Sequence, residues 1–355
     1  MAPDIDTTKG PALAEQQAES LPAGPRLIDS FGRHIHYIRI SVTDRCNLRC
    51  SYCMPKDDPE WLERTQVLTF EEIEQFVRIS ALEGVTKVRL TGGEPLVRRD
   101  LPKLVARIAR IGGIRDLAMT TNGTLLSRFA RDLKDAGLTR LNVSLDSLNP
   151  ERFAQITKSD LFRQVWGGIE AALHAGFSPL KINMVVIRGF NDDELVSFAR
   201  LTRQYPFHVR FIEYMPIGGD REGWERAKVV PCAEIRAAIE AHEELEPVTV
   251  NANDAGPERV FRLKNSAGRM GFISPVSDDF CARCNRVRLT SDGKLRGCLM
   301  RDGEVDFRTA LRTGASDEEL RALLHDAMRH KPEKHLINSP DFAYTSFYTM
   351  NRLGG

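Results

Sequence analysis

Seven cysteines occur in 355 residues, at positions 46, 50, 53, 232, 281, 284 and 298, and six of them fall into two groups of three. Cys46, Cys50 and Cys53 have C-x3-C-x2-C spacing. Three thiolates that close together on a loop can hold three corners of a four-iron cluster and leave the fourth iron without a protein ligand. An iron left open is a binding site, as the open position of a catalytic zinc is. The same spacing is i, i+4, i+7, which could line one helical face with small buried residues. However, the segment is short, follows a strand-like run and meets Pro55 two residues later, so a metal-wrapping loop is the better reading. Disulfides fit less well, because a reducing compartment keeps thiols free.

The second group, Cys281-Ala-Arg-Cys284 and Cys298, is C-x2-C-x13-C. On the residues alone it has two readings: a zinc ribbon whose fourth ligand is Cys232 or a histidine, or a second cluster with one open iron. Cys232, at a helix-start pattern, reads as a structural thiol. Gly92-Gly93-Glu94-Pro95 is a place where backbone can approach a ligand closely and where Glu94 or adjacent carbonyls can accept from an ammonium. Lys+Arg is 50 against Asp+Glu 49, so an anionic ligand must be held by a local cluster of cations rather than a global field. Single basic residues are usually solvated surface charges. Arg39 and Arg89 differ, because each interrupts an otherwise apolar strand-like run. A triphosphate, with about four negative charges, suits fixed arginine forks in a partly dry site.

These residues need a frame. The hydrophobic share of 42% is that of a soluble globular protein, and the length allows a large α/β domain plus a smaller one. Short runs rich in Val, Ile and Leu at 37–42, 87–91, 116–120, 140–144, 179–186 and 207–212 read as buried parallel strands. Helical patterns lie between them: one capped by Thr69 and Glu72, one after Asp100, and others over 127–136, 164–175 and 192–204. Six β–α units predict an incomplete TIM-like parallel barrel, two units short of eight, whose open edges must be covered. The rhythm stops near 224. Strands at 260–263, 271–273 and 287–290 and a helix capped by Ser316 and Glu319 follow. The expected organisation is a disordered tail over 1–26, a partial barrel over 27–223, and a smaller α+β domain over 224–355 covering its open side. Chemistry in such folds collects at the C-terminal strand ends, where Cys46, Gly92–Pro95, Thr120–Gly123, Ser144 and Met215 fall. The polar first 26 residues, with Lys9 and Arg26 as their basic side chains, fit neither a signal nor a transit peptide, which predicts a cytoplasmic protein. No apolar run would span a bilayer, and no basic patch with interleaved aromatics predicts nucleic-acid binding.

The cysteine loop, with Tyr52 before its last cysteine, and the Gly-Gly-Glu-Pro turn at the next strand end resemble the two defining motifs of radical S-adenosylmethionine (SAM) enzymes. From Arg33 to Gly355 the chain resembles the GTP 3′,8-cyclase family of molybdenum cofactor biosynthesis. The resemblance is carried by Arg39-Ile-Ser-Val-Thr-Asp44, Lys87-Val-Arg89, Thr120-Thr-Asn-Gly123, Leu141-Asn-Val-Ser-Leu-Asp-Ser147, Lys181-Ile-Asn183, Arg210-Phe-Ile-Glu-Tyr-Met215, the second cysteine group with Asn285-Arg286-Val287-Arg288, and the Gly354-Gly355 terminus. It implies that Cys46, Cys50 and Cys53 hold the [4Fe–4S] cluster that cleaves SAM, with Tyr52, Gly93, Glu94, Ser144 and Met215 against that cofactor. Cys281, Cys284 and Cys298 would hold a second [4Fe–4S] cluster whose open iron binds guanine. Arg39, Arg89, Thr120, Lys181, Arg286, Val287 and Arg288 would bind GTP. Arg210, Arg286 and Arg288 would act in catalysis, and Gly354 and Gly355 would reach into the site.

The implied reaction, that of a lyase, removes the 3′ hydrogen of GTP, joins C3′ to guanine C8, and adds one electron and a proton. The implied partners are a flavodoxin- or ferredoxin-type reductant, a downstream cyclic pyranopterin monophosphate synthase, and a second copy in a homodimer. A radical SAM peptide or protein maturase is the alternative. Such enzymes tend to carry more C-terminal cysteines and lack the Arg-x-Arg after them.

Overall fold

Alternation of apolar strands and amphipathic helices produces six β–α units in series. The structure is a computed structural model and describes residues 27–54, 60–217, 224–249, 257–339 and 350–353. Its first strands are β1 Tyr37–Ser41, β2 Lys87–Thr91, β3 Asp116–Thr121, β4 Arg140–Ser144, β5 Leu180–Val186 and β6 Phe207–Glu213. The helices among them are α1 Phe70–Leu82, α2 Leu101–Ala109, α3 Leu126–Asp135, α4 Pro150–Thr157, α5 Phe162–His174 and α6 Leu195–Gln204. Thr69 and Glu72 form the expected capping box on α1. Helix α4 is not among the helices expected from periodicity. Its start is set by Asn149, whose side chain accepts from the amides of Glu151 and Arg152, with Pro150 in the first turn.

From residue 224 onward come α7 Cys232–Glu240, β7 Leu245–Pro247, β8 Glu258–Leu263, β9 Arg269–Ile273, β10 Arg286–Leu289, β11 Lys294–Arg296, β12 Glu304–Asp306, α8 Phe307–Arg312, α9 Asp317–Arg329 and α10 Met350–Leu353. These strands join the first six in one sheet, in the order β12-β11-β10-β1-β2-β3-β4-β5-β6-β9-β8-β7. β10 runs parallel to β1 and β9 parallel to β6. The C-terminal segment therefore covers both edges of the six-stranded barrel by continuing its ladders, which leaves neither β1 nor β6 as an exposed template.

Alternation along each strand sorts its side chains. Ile38 and Ile40, Val88 and Leu90, Leu141 and Val143, and Val209 and Phe211 join the buried layer with Ile73, Phe76, Leu104, Leu133, Ile169 and Phe198 of the surrounding helices. The residues between them face the barrel interior. There the sequence places charge.

Candidate functional site

The first cysteine loop leaves β1 and is pinned by backbone bonds from Arg49 to Thr157 and from Ser51 to Ile156, at the end of α4. Cys46, Cys50 and Cys53 are free thiols, partly buried. Burial pushes Cys46 up to about 11 and raises Cys50 and Cys53 further, the latter two aggravated by neighbouring thiols and Asp146. Three buried sulfurs that resist ionisation alone become good ligands once a cationic centre supplies the missing charge. Among the described residues no three Cys, His, Asp or Glu side chains close on the position of a single ion. Tetrahedral zinc would hold its sulfurs about 4 Å apart. Three thiols on one loop are the donor type that iron–sulfur clusters take, so the donor chemistry fits.

Gly93 is dictated by this loop: a Cβ there would lie 2.4 Å from the carbonyl oxygen of Arg45. The close approach its missing side chain permits is to the chain's own backbone, and its amide donates to Thr43. Glu94 is held by the same turn. Its carboxylate is fully buried and accepts from Leu96 N at 3.0 Å, Thr121 Oγ1 at 2.7 Å and Asn122 N at 2.7 Å. Burial outweighs these donors and lifts its carboxyl to about 7. Glu94 therefore ties the turn after β2 to the turn after β3.

Tyr52 donates to Asp146 Oδ2 at 2.7 Å, and Asp146 Oδ1 accepts from Val185 N at 2.9 Å. Asp146, part of the Leu141–Ser147 motif but assigned no role there, fixes the aromatic ring of the cysteine loop against β5. Beside it lies a cavity of about 300 Å³ lined by Ser51, Tyr52, Ile187, Phe190 and Tyr214 among others. Ser144 ends β4 half-buried, opposite Asn183 of β5. Met215 packs against a small apolar cluster built on Ile217, Val276, Met300 and Leu353, which Cys298 also touches.

Deeper in the barrel, cations stand in register. Arg39 is paired with Arg89 on β2 and with Arg288 on β10, and one step lower on the same face Tyr37 is paired with Arg286 and Lys87. Tyr37 is the organising residue here, and the motifs did not point to it. The guanidinium carbons of Arg39, Arg89 and Arg286 lie 5.7, 5.6 and 5.9 Å from its ring centroid, and Arg39 Nε donates to its hydroxyl at 3.2 Å. Burial would raise its pKa, but these three arginines outweigh burial and bring the phenol down to about 7.

Asn142, its amide turned so that the oxygen faces them, accepts from Arg89 and Arg210 at 2.5 Å each. Arg210 also donates to Asn183 Oδ1 at 2.9 and 2.7 Å. Lys181 faces the same space, as does half-buried Thr120 opposite Asn142. Burial lowers Arg89 to about 9 and Lys181 to about 7, aided by Arg210 in the second case. The Nε atoms of Arg89 and Arg286 are buried without a hydrogen-bond partner. Alternation turns the Val287 side chain into the outer core, where it is 1% exposed, away from the interior that Arg286 and Arg288 face.

The second cysteine group lies at the opposite end of the same strands. Cys284 comes two residues before Arg286, the register partner of Tyr37 at the start of β1, whereas Cys46 follows the end of β1. Because β1 and β10 are parallel, the two groups flank the arginine rows from both ends, instead of gathering together at the C-terminal strand ends. Arg33 anchors the second loop by donating to Cys281 O at 2.8 Å and Glu333 O at 2.6 Å. Lys331 reaches Cys284 Sγ at 3.5 Å and Gly297 O at 2.6 Å. Burial raises the Cys284 thiol, but Lys331 and Arg286 outweigh it and bring it below its ordinary value. Burial pushes Cys281 up to about 11. Gly354 and Gly355 lie outside the described residues, as does the 1–26 tail.

A parallel β–α partial barrel with a C-x3-C-x2-C loop at the end of its first strand defines a radical SAM enzyme. The comparisons agree: residues 40–202 match the Radical SAM superfamily and residues 207–337 match Molybdenum Cofactor Synthesis C. Among solved structures, Streptococcus suis SuiB bound to precursor peptide SuiA is similar with a TM-score of 0.58 at 14% identity, over 87% of this chain and 67% of that one. That likeness is one of fold. The GTP 3′,8-cyclase of Syntrophomonas wolfei is 50% identical over 313 residues, 88% of this chain and 95% of that protein. That of Geobacter sulfurreducens is 48% identical over 333 residues, 93% and 99% respectively. The chain belongs to the GTP 3′,8-cyclase family.

Proposed function

We propose that this chain converts GTP to 3′,8-cyclo-7,8-dihydro-GTP, the first step of molybdenum cofactor biosynthesis. The observation that carries this reading is the double row of interior cations set between two cysteine triads at opposite ends of β1 and β10. Cys46, Cys50 and Cys53 would hold the cluster of the radical SAM superfamily, with SAM beside Tyr52, Gly93, Ser144 and Met215 and in the adjoining cavity. Cys281, Cys284 and Cys298 would hold a second [4Fe–4S] cluster. When bound, SAM and its cluster supply the radical that abstracts the 3′ hydrogen.

The protein's task is placement. Arg39, Arg89, Lys181, Arg210 and Arg288, with Thr120, would grip the triphosphate and ribose, the arginines by two-pronged contacts. Arg286, next to the second triad, would orient guanine, and Arg286 or Arg288 would steady charge there as the final electron and proton arrive. The strand layers around the interior exclude water. Asn351, in the last described helix, donates to Asp44 O at 3.0 Å, which brings the chain preceding Gly354 and Gly355 to the cysteine loop. A small one-electron carrier protein would supply reductant, a pterin-forming synthase would take the product, and the working form would be a homodimer. No described helix is long and apolar enough to cross a membrane.

The test is anaerobic 5′-deoxyadenosine release by iron-reconstituted protein, with and without GTP, while mass spectrometry follows the nucleotide. GTP-dependent release with an isomer of GTP is the expected result. Release that ignores GTP, with the nucleotide unchanged, would sink the substrate and point to a peptide or protein maturase.

A further inference from the structure

Glu258, the first residue of β8, sends its carboxylate into the barrel interior. Oε1 lies 3.4 Å from Lys181 Nζ, and Oε2 lies 3.4 Å from His208 Nε2 and 3.8 Å from Arg210 Nη1. The side chain is 9% exposed. Gly271 makes this entry possible. It is the register partner of Arg210 on β9, and a Cβ there would come within 2.6 Å of Glu258 Oε2 and 3.0 Å of His208 Nε2.

These contacts are loose. Glu258 Oε2 and His208 Nε2 are both buried and lack a hydrogen-bond partner, whereas the buried carboxylates of Glu94 and Glu213 are saturated. Glu94 takes three donors at 2.7 to 3.0 Å, and Glu213 takes Cys232 N, Val276 N and Ser277 N at 2.8 to 2.9 Å. Glu258 is held in place by charge, not by a complete hydrogen-bond set. The charge it meets is that of two cations assigned above to the nucleotide.

We propose that Glu258 is a built-in counter-anion, which occupies Lys181 and Arg210 while the interior is empty and is displaced from them by the phosphates of the substrate. This rests on the reading that the interior cations bind GTP. A buried array of like charges is costly without an anion, and Glu258 lowers that cost in the empty enzyme. Burial acts to raise its carboxyl, but the neighbouring cations, Arg210 first, outweigh burial and hold it well below the usual carboxylate range. Glu258 thus remains ionised at any working pH and yields by moving, not by taking a proton. A polyphosphate offers about four charges and many acceptor oxygens against one loosely held carboxylate, so it wins the exchange, at reduced affinity. Glu258 sets that affinity.

The test compares binding of inorganic tripolyphosphate and of GTP to anaerobic, cluster-loaded wild type and Glu258→Gln. The variant is expected to bind tripolyphosphate about tenfold more tightly. Equal or weaker binding overturns the proposal. Should Glu258→Gln fold poorly, a crystal structure of the wild type with tripolyphosphate decides the matter. The Glu258 carboxylate is expected to have left Lys181, and a contact that persists beside the bound anion overturns the proposal. Failure of the underlying reading looks different: wild type would neither bind GTP nor release 5′-deoxyadenosine in response to it.

Discussion

Arg39 on β1 and Arg89 on β2 are register partners, two guanidinium side chains directly across from each other on one face of a parallel sheet, with Arg288 in the same row on β10. Like charges in that relation oppose folding, and burial adds to the cost, since Arg89 is 7% exposed with its Nε unpaired. A stable fold has no need of this row. An anion does.

Arg89→Met should therefore stabilise the empty protein by about 1 kcal/mol while weakening GTP binding at least tenfold. Calorimetric melting of anaerobic protein, with and without tripolyphosphate, reads both effects. A lower melting temperature in the ligand-free variant would mean that the row is structural after all.

Affinity for the nucleotide should fall as pH rises above 7. Lys181, lowered to about 7 by burial and Arg210, is increasingly neutral above that pH in the empty site, and the Tyr37 phenol, brought to about 7 against burial by its three arginines, is increasingly anionic. A bound polyanion favours the charged lysine and the neutral phenol, so both groups take up protons on binding. Linkage then lowers the association constant by about tenfold per pH unit for each proton taken up. Measurement between pH 7.5 and 9 avoids phosphate's own titration at about 6. Tyr37→Phe should remove one proton from the slope, and a profile identical to wild type would rule the phenol out.

Glu213 should matter to the second cysteine group more than to the first. Its carboxylate, at the end of β6, accepts from the amides of Cys232, Val276 and Ser277 and from the Ser277 hydroxyl. It thereby fixes the start of the segment that leads to Cys281. Glu213→Ala strands the buried N–H groups of Cys232 and Val276 and the part-buried one of Ser277, at a cost of about 3 kcal/mol. Iron content of the reconstituted variant is expected to drop by about half, with SAM cleavage retained. Full iron content would show that the second loop forms without it.

Much of the fold was legible because strands announce themselves. β2 and β4 have the bounds expected from their apolar runs, and the capping boxes at Thr69 and Ser316 set their helix starts. An arginine in a buried strand, as at 39 and 89, pointed to the interior because alternation puts it on the face opposite the helix-covered core. What the sequence could not convey was pairing across the chain's two halves. That β10 would lie parallel beside β1, aligning Arg288 with Arg39, depends on sheet order, which no local pattern encodes. Glu258 and His208 were hidden for the same reason: their partners arrive through the β6–β9 and β8–β9 ladders. Tyr37 carried a usable signal, two residues before Arg39 on the same face. Alternation turns the Val287 side chain away from those of Arg286 and Arg288, so any contact of Val287 with the nucleotide would fall to its backbone.

If Cys281, Cys284 and Cys298 hold the second cluster proposed above, Lys331 should tune that cluster without holding it. Its ammonium is 3.5 Å from Cys284 Sγ and 2.6 Å from Gly297 O. Its stem lies against Gly297, where a Cβ would come within 3.0 Å of the Lys331 Cα. A cluster gains negative charge on reduction, so a fixed cation beside a ligand sulfur favours the reduced state. Lys331→Met keeps the length of the stem and removes the charge. Iron content should stay near wild type, the reduction potential of the second cluster should become more negative, and that of the first should not move. Redox titration followed by electron paramagnetic resonance separates the two centres. An unchanged second potential at full iron loading would show that Lys331 serves the loop's packing and has no hold on the electron.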